Sequence, residues 1–184
     1  YLEGQYLQNT KVCLDERFGE THATMSLLFT VEDIERLSVE EMDDIINEKF
    51  RRNEYAWNKE KKIKWDTRGR ICHRLEDFCY KCPKCGKEFT MKGVGNQIIC
   101  SNCGNGATMD DYYEFHPFDG AVIPESPFDW VEQERMDIIK EIRENPDYYF
   151  EDECEIGNLD EYKLVGKNKT SFIVGEGIIR VDHK

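Results

Sequence analysis

The chain has 184 residues and a mass of 21.7 kDa, the size of one or two domains. Its 38 Asp and Glu against 25 Lys and Arg give a net charge of −13, and 34% of its residues are charged, too many for a membrane bundle. Aromatics make up 12%, too many for a disordered tail, and a generic duplex-DNA binder should be basic, which this chain is not.

No apolar run approaches the roughly 18 residues a membrane-spanning helix needs. The opening Tyr1-Leu2-Glu3-Gly4 lacks the basic and then apolar pattern of a secretory signal. Because residue 1 is Tyr rather than Met, a fragment or processed form is expected. Its N-terminal apolar patch would then face a partner in a longer protein. The charge is segregated along the chain. Residues 1–48 are net −9, 49–74 net +7, 75–109 near neutral, 110–161 net −15 and 162–184 net +3. Such polarity speaks to partners, not to fold.

Residues 1–30 suggest short β pieces, with Met25-Ser26-Leu27-Leu28-Phe29 the clearest apolar run. Thr30-Val31-Glu32-Asp33 is a helix start, a hydroxyl cap with an acid three residues later, and predicts a short helix to Arg36 or Leu37. Ser38-Val39-Glu40-Glu41 repeats that signal. Val39, Met42, Ile45, Ile46, Phe50 and Trp57 then recur at helical spacing, which predicts one helix from about Ser38 to about Glu60. Residues 59–74 form a basic connector broken by Gly69, and a domain boundary is placed at its end.

A compact β unit is expected over 78–116. Pro117, Pro124 and Pro127 mark an extended stretch. Ser126-Pro127 then opens a second helix, with Ser as cap and Pro at its first position. Trp130, Val131, Ile138, Ile139 and Ile142 supply its apolar face, and Asn145-Pro146 ends it. Glu151-Asp152-Glu153 suggests an acidic turn. Tyr162–Gly166 and Ser171–Val181 alternate apolar and polar residues, as in a β-hairpin or meander. The expected fold is α+β: a helical N-terminal segment with its connector (1–74), a four-cysteine zinc ribbon (75–117), and a C-terminal helix with a small antiparallel β-meander (118–184).

The strongest motif is Cys82-Pro83-Lys84-Cys85-Gly86 followed by Cys100-Ser101-Asn102-Cys103-Gly104, a C-x2-C-x14-C-x2-C pattern. Each C-x2-C predicts a knuckle aiming two thiolates at one metal, with the following Gly in a left-handed conformation. Glu88–Lys92 and Gln97–Cys100 can pair through Gly93-Val94-Gly95-Asn96 and so bring the knuckles together. Cys82, Cys85, Cys100 and Cys103 would then bind one Zn2+ tetrahedrally at about 2.3 Å. With four protein thiolates no water is activated, so the site is structural. Iron fits the same ligand set. A redox pair or two disulfides are weaker readings, because the first wants one CxxC beside a βαβ pattern. Metal use points to a reducing compartment. Cys79 suggests a buried strand residue beside the knuckle. Cys13, Cys72 and Cys154 suggest ordinary reduced thiols, and His73 and His116 packed or exposed side chains.

No catalytic constellation is evident. There is no G-x-S-x-G and no Walker loop. Gly93–Asn96 and Val174–Gly177 suggest hairpin turns, without a following helix to hold phosphate. His73 to Asp77 has no nucleophile nearby. The basic stretch has two readings. Trp57, Lys61, Lys62, Lys64, Trp65, Arg68 and Arg70 can form a contact for an anionic membrane surface, with nucleic acid a less favoured variant. The plainer reading is a helix end and linker that neutralise the acidic body of the same protein.

Several short motifs carry a family resemblance. Leu2-Glu3-Gly4-Gln5-Tyr6-Leu7 resembles the end of the catalytic domain in bacterial 1-acylglycerol-3-phosphate acyltransferases. Phe29–Ile34, Leu37–Glu41 and Asn53–Trp57 are similar to the helical segment that follows it. Tyr80–Gly86, Cys103–Gly106 and His116-Pro117 resemble the zinc ribbon of the longer members, and Trp130 with Val174–Gly177 their C-terminal region. Gln5 stands where the family has a second Gly, and Asn9–Val12 replaces its Pro-Arg-Trp element. The H-x4-D motif and phosphate-gripping Pro-Glu-Gly block of the family are absent. The resemblance therefore implies a non-catalytic C-terminal part of an acyltransferase of phospholipid synthesis. Its catalytic domain would lie upstream in the same polypeptide, in the cytoplasm or peripheral to the inner membrane face. The alternative is a stand-alone zinc-ribbon adaptor for protein or nucleic acid.

Overall fold

Two hydroxyl caps start the N-terminal helices as their spacing predicts. In a computed structural model that describes residues 2–8, 16–157 and 173–182, the Thr30 hydroxyl accepts from the Asp33 amide at 3.1 Å and the Asp33 carboxylate accepts from the Thr30 amide at 3.0 Å. This reciprocal box opens α2 (Val31–Arg36), after a four-residue α1 (Gln5–Gln8). Ser38 and Glu41 form the same box, at 3.2 and 2.8 Å, and open α3 (Val39–Phe50). Hydrogen bonds from the cap backbone hold the Asp33 and Glu41 carboxyls below the usual carboxylate range.

The single helix expected to reach Glu60 stops at Phe50. A new helix, α4 (Glu54–Lys61), begins after three intervening residues because the Asn53 side chain accepts from the Ala56 amide at 3.0 Å. A short polar side chain that bonds the backbone locally competes with helix continuation. The two preceding residues are drawn elsewhere: Arg51 pairs with Glu132 at 2.9 Å, and Arg52 with Glu3. The helical phase of α3 is correct, but its apolar stripe is not in the core. No residue of α3 is buried, and Val39 is 65% and Phe50 80% exposed. Nor is Met25–Phe29 a strand. Among the described residues near it, β1 (Leu2–Glu3) pairs with β2 (His22–Ala23), and Phe18 forms an isolated bridge with Asp66.

The basic connector is core rather than boundary. Trp65, Ile71 and Cys72 are buried within it. The Trp65 amide donates to the Asp111 carbonyl at 2.8 Å, and Phe18 and Asp66 exchange backbone bonds at 3.2 and 2.7 Å. Buried Asn58 on α4 accepts from the Trp65 indole at 2.9 Å and donates to the Tyr112 and Ile63 carbonyls at 2.8 and 3.2 Å. Each polar atom of that amide is therefore engaged, which is the condition for burying it.

Beyond a 3-10 turn (Leu75–Asp77) lies a four-stranded antiparallel sheet in sequential order: β3 (Met91–Val94), β4 (Gln97–Cys100), β5 (Gly106–Met109) and β6 (Phe115–Pro117). Val94 pairs with Gln97, so the hairpin loop is Gly95-Asn96 alone. Only Gly95 of these two has positive φ, +61°, as a type II′ turn requires. Met91 and Gly93 of β3, with Ile98 and Cys100 of β4, alternate onto one face, as the period of a strand dictates. A Cβ on Gly93 would lie 2.0 Å from the Cys72 carbonyl oxygen and 2.6 Å from the Glu76 carboxylate. Gly93→Ala should thus destabilise by at least about 3 kcal/mol, read as a lower urea midpoint with an unchanged slope.

The second predicted long helix is α5 (Pro127–Glu144). The Ser126 hydroxyl accepts from the Asp129 amide at 3.3 Å and donates to the Asp129 carboxylate at 2.6 Å. The chain forms two compact units, Tyr1–Glu134 and Arg135–Lys184. The boundaries expected at 74 and 117 fall inside the first. One cluster explains this: Leu7, Tyr55 and Trp65 from the first predicted segment pack with Met91, Ile98 and Met109 of the sheet and with Trp130 of α5.

The second unit holds β7 (Tyr149–Gly157) paired antiparallel with β8 (Ile173–Asp182). The acidic turn expected at 151–153 is mid-strand. Glu151, Glu153 and Glu155 alternate with Phe150, Cys154 and Ile156, a period of two that Asp152 interrupts. Val174–Gly177 lies inside β8 rather than in a turn. The meander segment Tyr162–Gly166, and Ser171 with Phe172, lie outside the described residues. The chain is thus α+β, with antiparallel sheets and a four-cysteine cluster.

Candidate metal centre

The two knuckles repeat one local geometry. The Gly86 amide donates to the Cys82 carbonyl at 2.8 Å, and the Gly104 amide to the Cys100 carbonyl at 2.9 Å. The Cys82 amide donates to the Lys87 carbonyl at 2.9 Å, and the Cys100 amide to the Asn105 carbonyl at 2.7 Å. Gly86 and Gly104 have φ of +71° and +72°, the left-handed conformation expected of the residue after each second Cys. The second knuckle sits in the turn between β4 and β5. The first lies beside it because Ser101 and Thr90 bond: the Ser101 amide donates to the Thr90 carbonyl at 2.8 Å.

The four sulfurs of Cys82, Cys85, Cys100 and Cys103 all lie within 4.8 Å of one another. The Cys82–Cys103 and Cys85–Cys100 separations are 3.7 and 3.9 Å. A disulfide has an S–S bond of about 2.05 Å, so these pairs are not disulfides. Cys82 and Cys100 belong to the buried core, while Cys103 is exposed. A metal here would join the core to the surface.

The polar surroundings suit thiolates. Thr90 Oγ1 lies 3.3 Å from Cys100 Sγ, Asn102 Nδ2 donates to Cys85 Sγ at 3.6 Å, and Asn105 Nδ2 donates to Cys82 Sγ at 3.6 Å. Lys87 Nζ orients Asn102 through a 2.8 Å bond to its Oδ1. Buried Asn105 is fixed by Val122, whose amide donates to its Oδ1 at 2.7 Å and whose carbonyl accepts at 2.8 Å. Thr90, Asn102 and Asn105 were not singled out by motif. Their signal was only proximity to the cysteines.

Burial raises the Cys100 thiol, but the Thr90 hydroxyl and the amides of Cys103 and Asn102 outweigh it and bring Cys100 down to about 6. The Lys87 amide lowers Cys85. The Asn105 amide favours the Cys103 thiolate, yet burial and the three neighbouring sulfurs together hold Cys103 up at about 12. Deprotonating all four thiols this close together would need a cation, a role a metal ion could fill.

α5 anchors the first knuckle through two residues one turn apart, on one helix face. The Trp130 indole donates to the Lys81 carbonyl at 2.9 Å, and Glu134 Oε1 accepts from the Lys81 amide at 2.8 Å. Glu134 belongs to the strongly acidic 110–161 stretch, yet it is buried. Burial raises its carboxyl to about 7, against the lowering effect of the Lys81 and Tyr80 amides. The folded state therefore holds this proton up to about pH 7, while the unfolded chain releases it near 4.5. By linkage, stability from this group falls as pH rises through that window. Glu134→Gln should gain thermal stability relative to the native chain between pH 5.5 and pH 8. Comparing the two chains at each pH cancels the shared pH dependence of the metal site.

Among the described residues of the first unit, the remaining cysteines and histidines are not brought to the site. Cys72 and Cys79 are buried thiols raised by desolvation, Cys72 to about 12, and so unreactive. Cys79 sits beside the knuckle as expected, though in a bend and not a strand. Cys13 lies outside the described residues. His116 is exposed, with Nε2 2.9 Å from Asp110 Oδ2.

The expected anion-contact set does not survive whole. Trp65 is completely buried, so it cannot touch a surface; the connector folds into the core and carries it inward. Trp57 is half-buried and packs edge-on against His22, with centroids 5.5 Å apart. Lys61, Lys62, Lys64, Arg68 and Arg70 are exposed. Lys64 lies 3.7 Å from Asp111, and the Arg68 guanidinium lies 5.1 Å over the Phe18 ring. Among the described residues, no helix is long and apolar enough to cross a membrane.

Sheet, knuckles and sulfur cluster together define an α+β protein with a four-cysteine site able to hold a metal ion. In comparisons with known proteins the chain matches no family model, no curated protein and no solved structure.

Proposed function

We propose that the four cysteines hold one zinc ion as a structural centre, and that the chain is a non-catalytic accessory part of an acyltransferase-like protein of phospholipid synthesis. The observation that supports zinc is the sulfur arrangement. Zn–S bonds of about 2.3 Å in a tetrahedron give sulfur separations of about 3.8 Å, against 3.7 and 3.9 Å here. Four thiolates close the coordination sphere, so the ion would stabilise the fold and activate no water.

The accessory reading rests on the motif resemblance, together with a sequence that carries no H-x4-D motif. Its partner would be an upstream catalytic domain in a cytoplasmic protein. The exposed apolar side chains of α2 and α3, including Val31, Ile34 and Val39, suit such a protein neighbour. Lys61, Lys62 and Lys64 would supply the anionic-membrane contact, without a tryptophan anchor.

Elemental analysis of the purified chain should find one zinc per polypeptide. Intact mass and N-terminal peptides of the natural protein should show an upstream extension containing H-x4-D. A natural chain beginning near Tyr1 would instead favour a stand-alone zinc-ribbon adaptor. Changing Lys61, Lys62 and Lys64 to Glu should weaken binding to anionic vesicles severalfold at low salt. Unchanged binding would remove the membrane contact.

A further inference from the structure

A second concave site lies within the first unit, formed by residues remote from the cysteines in sequence. It has a volume of about 520 Å³, within the range of small-molecule pockets. Five stretches of chain converge on it. Tyr6 comes from α1, Phe50 from the end of α3, Tyr55 from the start of α4, Phe78 from the segment after the 3-10 turn, and Phe128 with Val131 from the first turns of α5.

The lining is mostly aromatic and aliphatic. Phe50 is 80% exposed there, and Phe78 and Phe128 are only half-buried. A cleft of this depth, with three phenylalanines left in water, offers an apolar body a large area to cover.

Three charged side chains stand on its wall: Lys49, Arg52 and Glu54. Two have structural duties. Arg52 pairs with Glu3, and the Glu54 carboxylate accepts from the Tyr6 amide at 3.0 Å. Lys49, exposed in the last turn of α3, makes no hydrogen bond or ion pair among the described residues. The cleft therefore presents an apolar interior and one uncommitted positive charge at its edge.

We propose that this cleft binds a small amphipathic anion, its apolar body among Phe50, Phe78 and Phe128 and its single negative head at the Lys49 ammonium. The head stays near solvent, which suits a lysine: a compact, strongly hydrated point charge on a flexible stem. The apolar contact supplies most of the affinity, and the charge selects the class of ligand.

The test uses two dyes with one body. The first is 1-anilinonaphthalene-8-sulfonate, and the second is N-phenyl-1-naphthylamine, which lacks the sulfonate. Both are titrated into the metal-loaded full chain, with urea melts to show that each variant is folded. The sulfonate dye should bind saturably at one site per chain and more tightly than the neutral dye. Val131→Trp, which fills the cleft from its wall, should weaken both dyes tenfold or more. Lys49→Glu should weaken the sulfonate dye about fivefold and leave the neutral dye within twofold. Non-saturable binding, or binding untouched by Val131→Trp in a folded chain, would overturn the site. Equal affinity for both dyes, or indifference of the sulfonate dye to Lys49→Glu, would overturn the anionic assignment.

Discussion

With the proposed zinc ion bound, stripping it with a chelator at neutral pH should unfold the two knuckles and loosen the whole first unit. Cys82 and Cys100 are both ligands and core residues, in one cluster with Met91, Ile98 and Trp130. Removing the ion leaves four thiols crowded within 4.8 Å and breaks the link between the two knuckles. Structural zinc contributes on the order of 10 kcal/mol or more in small zinc-binding folds, as much as the entire stability of a typical domain, about 5–15 kcal/mol. The near-ultraviolet signal of Trp130 should disappear, and the melting temperature should fall by at least about 10 °C. Cys100→Ser should behave like the chelated chain and should not recover on adding zinc. A metal-free chain that melts within a few degrees of the loaded one would contradict a structural centre.

Trp65→Ala is expected to be among the most damaging single substitutions in the first unit. Trp65 is completely buried, edge-on to Tyr113 with centroids 6.2 Å apart. The chain at Gly19 is fitted to its ring so closely that a Cβ there would lie 2.4 Å from it. Loss of a buried indole costs about 3–5 kcal/mol, and the Asn58 oxygen that accepts its N–H at 2.9 Å would be left unpaired. Trp65→Phe keeps part of the packing and should cost roughly half as much. Urea unfolding measures both. If Trp65 were a surface anchor, both variants would keep native stability, which the packing around it excludes.

What was legible in the sequence was local. Thr30, Ser38 and Ser126 each pair a hydroxyl with an acid three residues on, and each starts a helix, because capping needs only neighbouring residues. The knuckles were legible for the same reason: two cysteines and a glycine within five positions determine the turn. The Asn53 cap is hard to see because the apolar spacing on either side of it is continuous. The strand over 149–157 is hard to see because three acids in a row, Glu151-Asp152-Glu153, interrupt its alternation.

Burial was the less legible half. Trp57 and Trp65 look equivalent in a basic stretch, yet one packs half-exposed on His22 and the other is sealed beneath Gly19. Glu134 looks like any acid on an exposed helix face. It is buried because Trp130, one turn earlier, plugs into the chain beside Cys82 and brings Glu134 onto the Lys81 amide.

The four clustered cysteines and their spacing, the helix starts and the α+β class are all legible in the sequence, since each depends on contacts a few residues apart. Only the folded chain shows that the first unit shares one core, that Val39 and Phe50 of α3 face solvent, and that Lys49 edges an aromatic cleft. Those outcomes depend on which distant surfaces meet, and that is set by the summed burial of the whole unit, which no local pattern encodes.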